Sequence, residues 1–245
     1  MKIAHGLSAL TLALALAACG GDAGNNAMGS TNSSAAAVAA PAGTAWADTK
    51  SKTEAGGFVM GNPGAAVKLI EYGALSCSHC ADFSRESSEK LQGYINKGTV
   101  SYEFRPFLLN SFDLPAFLLA RCGGPGPFFA LAEQMFAAQP DFFAKAQAMS
   151  PADQQRLGGL PPQQLAPALA TAFGFDSFVQ QRGISSSQAQ ACLTDQAAVN
   201  ELNTIMQSGN EQFQITGTPT FIVNGDKQNV TTWDALEPLL VAAGA

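Results

Sequence analysis

The sequence predicts a mixed α/β fold ordered β–α–β, then a block of helices, then β–β–α. Three stretches carry this expectation. "AVKLIEYGAL" (66–75) is apolar and rich in β-formers, and residues at helical spacing follow soon after. From Asp113 to about Gln212 the pattern is helical, punctuated by Gly and Pro. "TPTFIVNGDKQNV" then sets Asn224-Gly225, the strongest two-residue hairpin signal, between two short strand-like runs.

The elements follow in chain order. The run 66–75 is a buried strand. In "CADFSRESSEKLQGYINKG" Phe83, Leu91, Tyr94 and Ile95 recur at roughly helical spacing with polar residues between them, and Gly98 stops the helix after Lys97. In "TVSYEFRPFLL" (99–109) Val100, Tyr102 and Phe104 alternate, which predicts a second strand whose regular part ends at Arg105 and Pro106. The helical stretch includes "LPAFLLARCGG", "GPFFALAEQMFAAQ" and "AAVNELNTIMQSGNEQF", whose Phe and Leu residues are core material. Thr220 to Val223 returns to strand, and "TTWDALEPLLVAAG" is a closing helix capped by Thr231 or Thr232.

The N-terminus, "MKIAHGLSALTLALALAACGG", has a positive head at Lys2, an apolar run from Ile3 to Ala18, and small residues before Cys19. Residues 1–18 are therefore expected to be a secretory signal peptide. "LAAC" (16–19) resembles the bacterial lipobox, which makes Cys19 the expected lipidation site and the protein membrane-anchored rather than membrane-spanning. Residues 19–55, rich in Gly, Ala, Ser, Asn and Thr, are expected to be a lipidated N-terminus and flexible linker, since they offer too little apolar surface to offset ordering entropy. The chain carries 13 basic and 19 acidic residues, a net charge of −6, with no basic run. That argues against nucleic acid and against a polybasic membrane contact.

Only two histidines are present, His5 in the expected signal and His79. Zinc hydrolysis on HExxH, three-His zinc and two-His-one-carboxylate iron all need more. GxSxG, GxxxxGK[ST] and GxGxxG are absent from the sequence. The five cysteines are Cys19, Cys77, Cys80, Cys122 and Cys192. With Cys19 lipidated, four remain in a compartment where disulfides persist, and three pairings are open. "CSHC" (77–80) lies at the expected strand-to-helix junction, with Cys77 at the helix N-terminus. Unpaired N–H groups and the helix dipole stabilise an anion there, and His79 adds a donor beside the sulfur. A thiolate is the nucleophile of disulfide exchange. Structural zinc on the thiols and a merely structural disulfide are the competing readings.

With "GNPGAAVKLIEYGALSCSHC" and "TGTPTF", the chain resembles the DsbA-like thiol:disulfide oxidoreductases from about Phe58 to Ala245. The resemblance implies a thioredoxin fold with an inserted all-helical domain: residues 56–112 and 213–245 form the thioredoxin-like domain and 113–212 the insertion. It implies that Cys77 attacks, that Cys80 resolves from a more buried position, and that His79 stabilises the thiolate. Thr218-Pro219 would be the cis-proline loop facing the redox pair, and Glu71 a buried acid assisting proton movement. Cys122 and Cys192 match a second, non-catalytic disulfide found in some members. Ser78 departs from the commoner Pro-His dipeptide and leaves the redox potential open.

The activity implied is oxidation of protein thiols through a mixed disulfide, without metal or organic cofactor. Partners would be reduced or unfolded exported proteins and a membrane quinone-linked reoxidase. The protein would act as a monomer, lipid-anchored in the bacterial periplasm. A disulfide isomerase or reductase would use the same residues. A copper-handling lipoprotein would use the thiols and His79 as ligands, and a non-catalytic binding lipoprotein would hold the pair as an inert bond.

Overall fold

The computed structural model describes residues 35–245. The expected signal peptide, the Cys19 lipid site and the first part of the expected linker lie outside them. A single 3₁₀ turn, Trp46–Asp48, precedes β1 (Lys50–Lys52), β2 (Phe58–Gly61), β3 (Val67–Gly73), α1 (Ser78–Asn96) and β4 (Val100–Pro106). The helical block comprises α2 (Asp113–Ala120), α3 (Pro125–Ala137), α4 (Gln139–Gln147), α5 (Pro151–Gly158), α6 (Pro162–Phe173), α7 (Phe175–Gln180) and α8 (Ser186–Leu193). Then come α9 (Gln196–Phe213), β5 (Thr220–Val223), β6 (Asp226–Lys227) and α10 (Trp233–Ala242).

The strands form one sheet in the order β1-β2-β4-β3-β5-β6. β3 and β4 run parallel, joined by the α1 crossover, and the other neighbours are antiparallel. β4 is central and buried on both faces, except at Arg105. One face of the sheet carries Leu69, Glu71, Tyr102, Phe104 and Phe221 and is covered by α1, α3 and α10. α1 turns Cys80, Phe83, Ser87, Leu91 and Ile95 inward, a three- and four-residue spacing that makes one helical stripe. Phe83 meets Phe221 with ring centroids 4.5 Å apart. The other face receives α9 through Leu202, Ile205 and Gly209. A Cβ on Gly209 would stand 2.6 Å from the Tyr72 ring, so only glycine lets α9 lie this close to β3.

Two expectations need correcting. Residues 35–55, expected as tether, are packed against the fold. Val38 N donates to Lys97 O (2.9 Å), and the Trp46 indole N–H donates to Val38 O (2.7 Å). β1 adds a strand to the sheet edge. Small polar side chains bury little area, but here the backbone makes the pairing and Trp46 supplies the apolar contact. A Cβ on Gly98, at φ +75°, would stand 2.5 Å from Val38 O, so the glycine that ends α1 also admits this segment. The second correction concerns the insertion, 113–212. α9 belongs to the sheet layers, because its apolar stripe faces β3 and β4. The helices before it share one core with the sheet: Phe128 of α3 packs on Phe58 (5.1 Å) and Phe104 (5.5 Å). Phe112, Phe142 and Phe175 continue that core outward, with edge contacts at 4.6 and 4.7 Å. Thr232 occupies the N-cap position of α10 without a side-chain bond to the helix.

Cys122, just after α2, and Cys192, in α8, are joined, with their Cα atoms 5.7 Å apart and a sequence separation of 70. Replacing both with Ala frees that 70-residue loop and is expected to lower stability by about 4 kcal/mol. Denaturant unfolding checks this: the midpoint should fall while circular dichroism retains the native spectrum. An unchanged midpoint would show that the bridge does not constrain the chain.

Candidate active site

β3 carries the chain to Gly73, and a turn over Ala74–Ser76 delivers Cys77 to the N-cap of α1. Cys77 N donates to Ala74 O (3.1 Å), and Cys77 has extended backbone angles, φ −85° and ψ 119°. Its sulfur takes the place of a capping oxygen and accepts the Cys80 N–H at 3.2 Å. The two thiols are free, Cys77 with 7 % exposure and Cys80 with none. The Thr218–Pro219 peptide bond is cis, and the Thr218 carbonyl accepts from the Cys77 thiol at 3.3 Å. A fold that separates these residues by 141 positions therefore brings the proline loop onto the sulfur.

The two thiols are pulled in opposite directions. Cys77 is lowered to about 6, first by donation from the Cys80 thiol, against the cost of burial. The Thr218 hydroxyl and the backbone N–H groups of Cys80 and His79 add to the lowering. The Thr218 hydroxyl has no other hydrogen-bond partner among the described residues, so it is free to donate to the ionised sulfur. Cys80 is raised well above the ordinary thiol range by burial, by its bond to Cys77, and by the charges of Glu71 and Cys77. His79 was expected to act through its ring. Its side chain is exposed, makes no hydrogen bond to the described residues, and the residue contributes to Cys77 through its backbone N–H. Ser78 beside it is likewise exposed.

Glu71, 1 % exposed, lies in β3 close enough to the pair for its charge to act on Cys80 and that of Cys77 to act on it. Phe104 and Phe221 lie opposite it on the two neighbouring strands. Its Oε2 accepts from the Tyr102 hydroxyl, and its Oε1 has no partner. Burial pushes this carboxyl up to about 8, the Tyr102 bond pulls against that, and the Cys77 charge adds to the rise. Gly73 makes the room: a Cβ there would stand 2.6 Å from the Phe104 ring and 2.9 Å from Glu71 Oε1.

Three further residues were not singled out in the sequence. In the sequence Tyr102 reads only as a strand residue. Asp113, fully buried at the start of α2, receives Ser76 N (2.8 Å) on Oδ1, and Ser76 Oγ (2.8 Å), Leu109 N (2.9 Å) and Asn110 N (3.2 Å) on Oδ2. Burial raises its carboxyl while these donors pull it back. Gln139, buried at the start of α4, donates from Nε2 to Leu75 O (2.8 Å) and Cys77 O (3.2 Å). The helical block thus grips the turn on both sides of Cys77. Asp113 carried a weak signal as an acidic residue opening a helix; Gln139 carried none. Among the described residues no three His, Cys, Asp or Glu side chains converge as a metal-ligand set.

Comparison with known proteins fits this geometry. A protein-disulfide oxidoreductase proposed in Rickettsia bellii is 26 % identical over 177 residues, 71 % of this chain and 59 % of its own. One from Rickettsia prowazekii is 31 % identical over 110 residues, 44 % of this chain and 40 % of its own. The chain thus spans less than two thirds of the length of these relatives. Among solved structures, a protein-disulfide isomerase from Novosphingobium aromaticivorans is 27 % identical with a TM-score of 0.71, over 75 % of this chain and 95 % of that one. Wolbachia pipientis alpha-DsbA1, at 19 % identity and a TM-score of 0.59 over 74 % of this chain and 87 % of its own, shares the fold. The thioredoxin family matches residues 53–241, a span that includes both thiols, Glu71 and the cis-proline loop, and the chain belongs to that family.

Proposed function

We propose that the chain is an exported protein thiol:disulfide oxidoreductase that oxidises substrate thiols through Cys77 and Cys80. The observation that carries this reading is the unequal pair: a helix-capping Cys77 held near 6 in front of a buried Cys80 held high. In the oxidised enzyme, a substrate thiolate attacks Cys77 Sγ. The Cys77–Cys80 bond breaks, a mixed disulfide forms, and Cys80 leaves with the electron pair. Glu71, largely protonated at neutral pH with its carboxyl near 8, supplies the proton that Cys80 needs. A second substrate thiolate then attacks the substrate sulfur of the mixed disulfide and expels the Cys77 thiolate. The substrate is oxidised by two electrons and the enzyme is reduced by two. The backbone beside cis-Pro219 would pair with the substrate chain in strand fashion.

Reduced exported proteins are the substrates in this reading, and a membrane quinone-linked partner restores the disulfide. The lipid anchor on Cys19 and a periplasmic location belong to the same proposal and rest on the leader sequence. The isomerase reading has one observation in its favour, the likeness to the Novosphingobium isomerase. Magnitude bears on the choice. A thiol at about 6 instead of about 8.5 stabilises the reduced state at pH 7 by roughly 30 mV. That pushes the pair toward oxidation, but it is smaller than the roughly 150 mV between thioredoxin and a strong oxidant.

Three outcomes are expected. Thiolate absorbance of the reduced protein should titrate near 6, and Thr218→Val should move it upward. His79→Ala should leave most of the depression in place, since the backbone N–H stays. Titration near the free value would remove the physical support for a nucleophilic Cys77. The oxidised protein should convert a reduced, unfolded substrate to disulfides stoichiometrically, and Cys80→Ser should trap substrate on Cys77. Efficient unscrambling by the reduced form with little oxidation by the oxidised form would establish the isomerase reading instead. Mass spectrometry of the mature protein should find a diacylglyceryl-modified Cys19 as its first residue; an unmodified cysteine or another first residue would sink the anchor.

A further inference from the structure

Buried carboxyl groups are usually matched by a cation or by several donors, because desolvating the charge is costly. Glu71 has neither. Its single hydrogen-bond donor is the neutral phenol of Tyr102, on Oε2. β4 presents Tyr102 and Phe104, β5 presents Phe221 opposite, and α1 presents Cys77 and Cys80 from its N-terminus. Glu103 and Arg105, which alternate with Tyr102 and Phe104 along β4, face the other side of the sheet and pair with each other at 2.7 Å. No cation completes the site from either neighbouring strand or from α1, and α3 and α10, which cover the same face, bury only apolar side chains.

We infer that Tyr102 is a positioning residue for proton transfer at Cys80: its phenol holds one oxygen of Glu71 and leaves the other, unpartnered oxygen to exchange the proton of the buried thiol. The inference rests on the thiol:disulfide reading above and specifies how its resolving step is served. Cys80 has no exposure, so water cannot take its proton directly. When the disulfide closes, Cys80 gives its proton to the Glu71 carboxylate and its sulfur attacks Cys77 Sγ of a mixed disulfide. The Cys77–Cys80 bond forms, the bond to the departing group breaks, and that group leaves as a thiolate with the electron pair. The base in this step is ionised Glu71. The Tyr102 donor favours that ionised form, in line with the direction in which it moves the Glu71 carboxyl. Removing the hydroxyl makes the acid harder to ionise, so the step must need a higher pH.

The reduced protein with dithiobis(nitrobenzoate) reads this directly. Cys77 releases one nitrothiophenolate on forming the mixed disulfide, and Cys80 releases the second on closing the pair. In Tyr102→Phe the midpoint of the second release against pH should rise by about one unit, with its high-pH plateau kept. In a Glu71→Gln background the same change should move nothing further. Fluorotyrosine at 102, nearly the same size and a stronger donor, should move the midpoint down, and it serves if the Phe variant folds poorly. A merely structural Tyr102 would lower the plateau and leave the midpoint in place; that result, or a shift that persists without Glu71, overturns the inference. If the unaltered protein shows no second release at all, the redox reading fails first and takes this one with it.

Discussion

The Cys80 N–H that donates to Cys77 Sγ at the first turn of α1 organises the rest of the site. For that contact to form, β3 must stop at Gly73, the chain must turn within three residues, and the helix must begin with its unpaired N–H groups aimed at a sulfur. The turn is short and carries buried polar backbone. Asp113 takes the Ser76 N–H, and Gln139 takes the carbonyls of Leu75 and Cys77. Leaving any of these buried groups unpaired would cost on the order of 1–3 kcal/mol. The helical block is therefore a structural part of the turn that carries Cys77.

The same turn separates the fates of two identical side chains. Cys77 lies at the cap, next to the Cys80 thiol, the Thr218 hydroxyl and the backbone N–H groups of Cys80 and His79, and its thiolate is favoured. Cys80 lies one helical turn inward, over the sheet, where desolvation and the neighbouring charges disfavour ionisation. Three residues apart in sequence, they differ because one faces the helix end and the other faces Glu71 and the aromatic core. Glu71 exists there only because Gly73 leaves space beside Phe104. The result is a thiol at the helix cap that favours ionisation and a fully buried thiol beneath it that does not.

Packing links this arrangement to the whole chain. Phe104 touches Phe117, Phe128 and Phe136 from the helical block, and its own strand borders Glu71 through the β3–β4 register. Phe83, one turn after Cys80, is wedged against Phe221 and Trp233. α9 closes the opposite face over Tyr72, whose hydroxyl accepts from Arg105 at 2.9 Å. With both faces covered, β4 is buried along its length except at Arg105, although polar Ser101, Glu103 and Arg105 alternate with apolar Val100, Tyr102 and Phe104.

How much of this was legible depends on the range of the interactions. The strand 66–75, the helix after the cysteines, the strand 99–109 and the Asn224-Gly225 hairpin were readable because periodicity, turn chemistry and helix stops act between neighbours in sequence. The CxxC turn at a helix start is a local fact too, and it suffices to single out Cys77 as the candidate nucleophile. The resemblance of "CSHC" and "TGTPTF" to a known family pointed to Glu71 and Pro219. β1, β2 and the docking of residues 35–55 were not legible, because a short polar strand announces itself only through the partner that takes its hydrogen bonds. Tyr102, Asp113 and Gln139 escaped notice for the same reason: their hydroxyl, carboxylate and amide meet partners 31 to 64 residues away. The exposure of the His79 ring was equally hidden, since helix phase around a cap is set by what packs beneath it. The sequence by itself determined which thiols, acid and proline are the candidates for the chemistry; the tertiary structure decided which of them are buried, paired or open, because burial and long-range hydrogen bonds exist only once the chain has closed on itself.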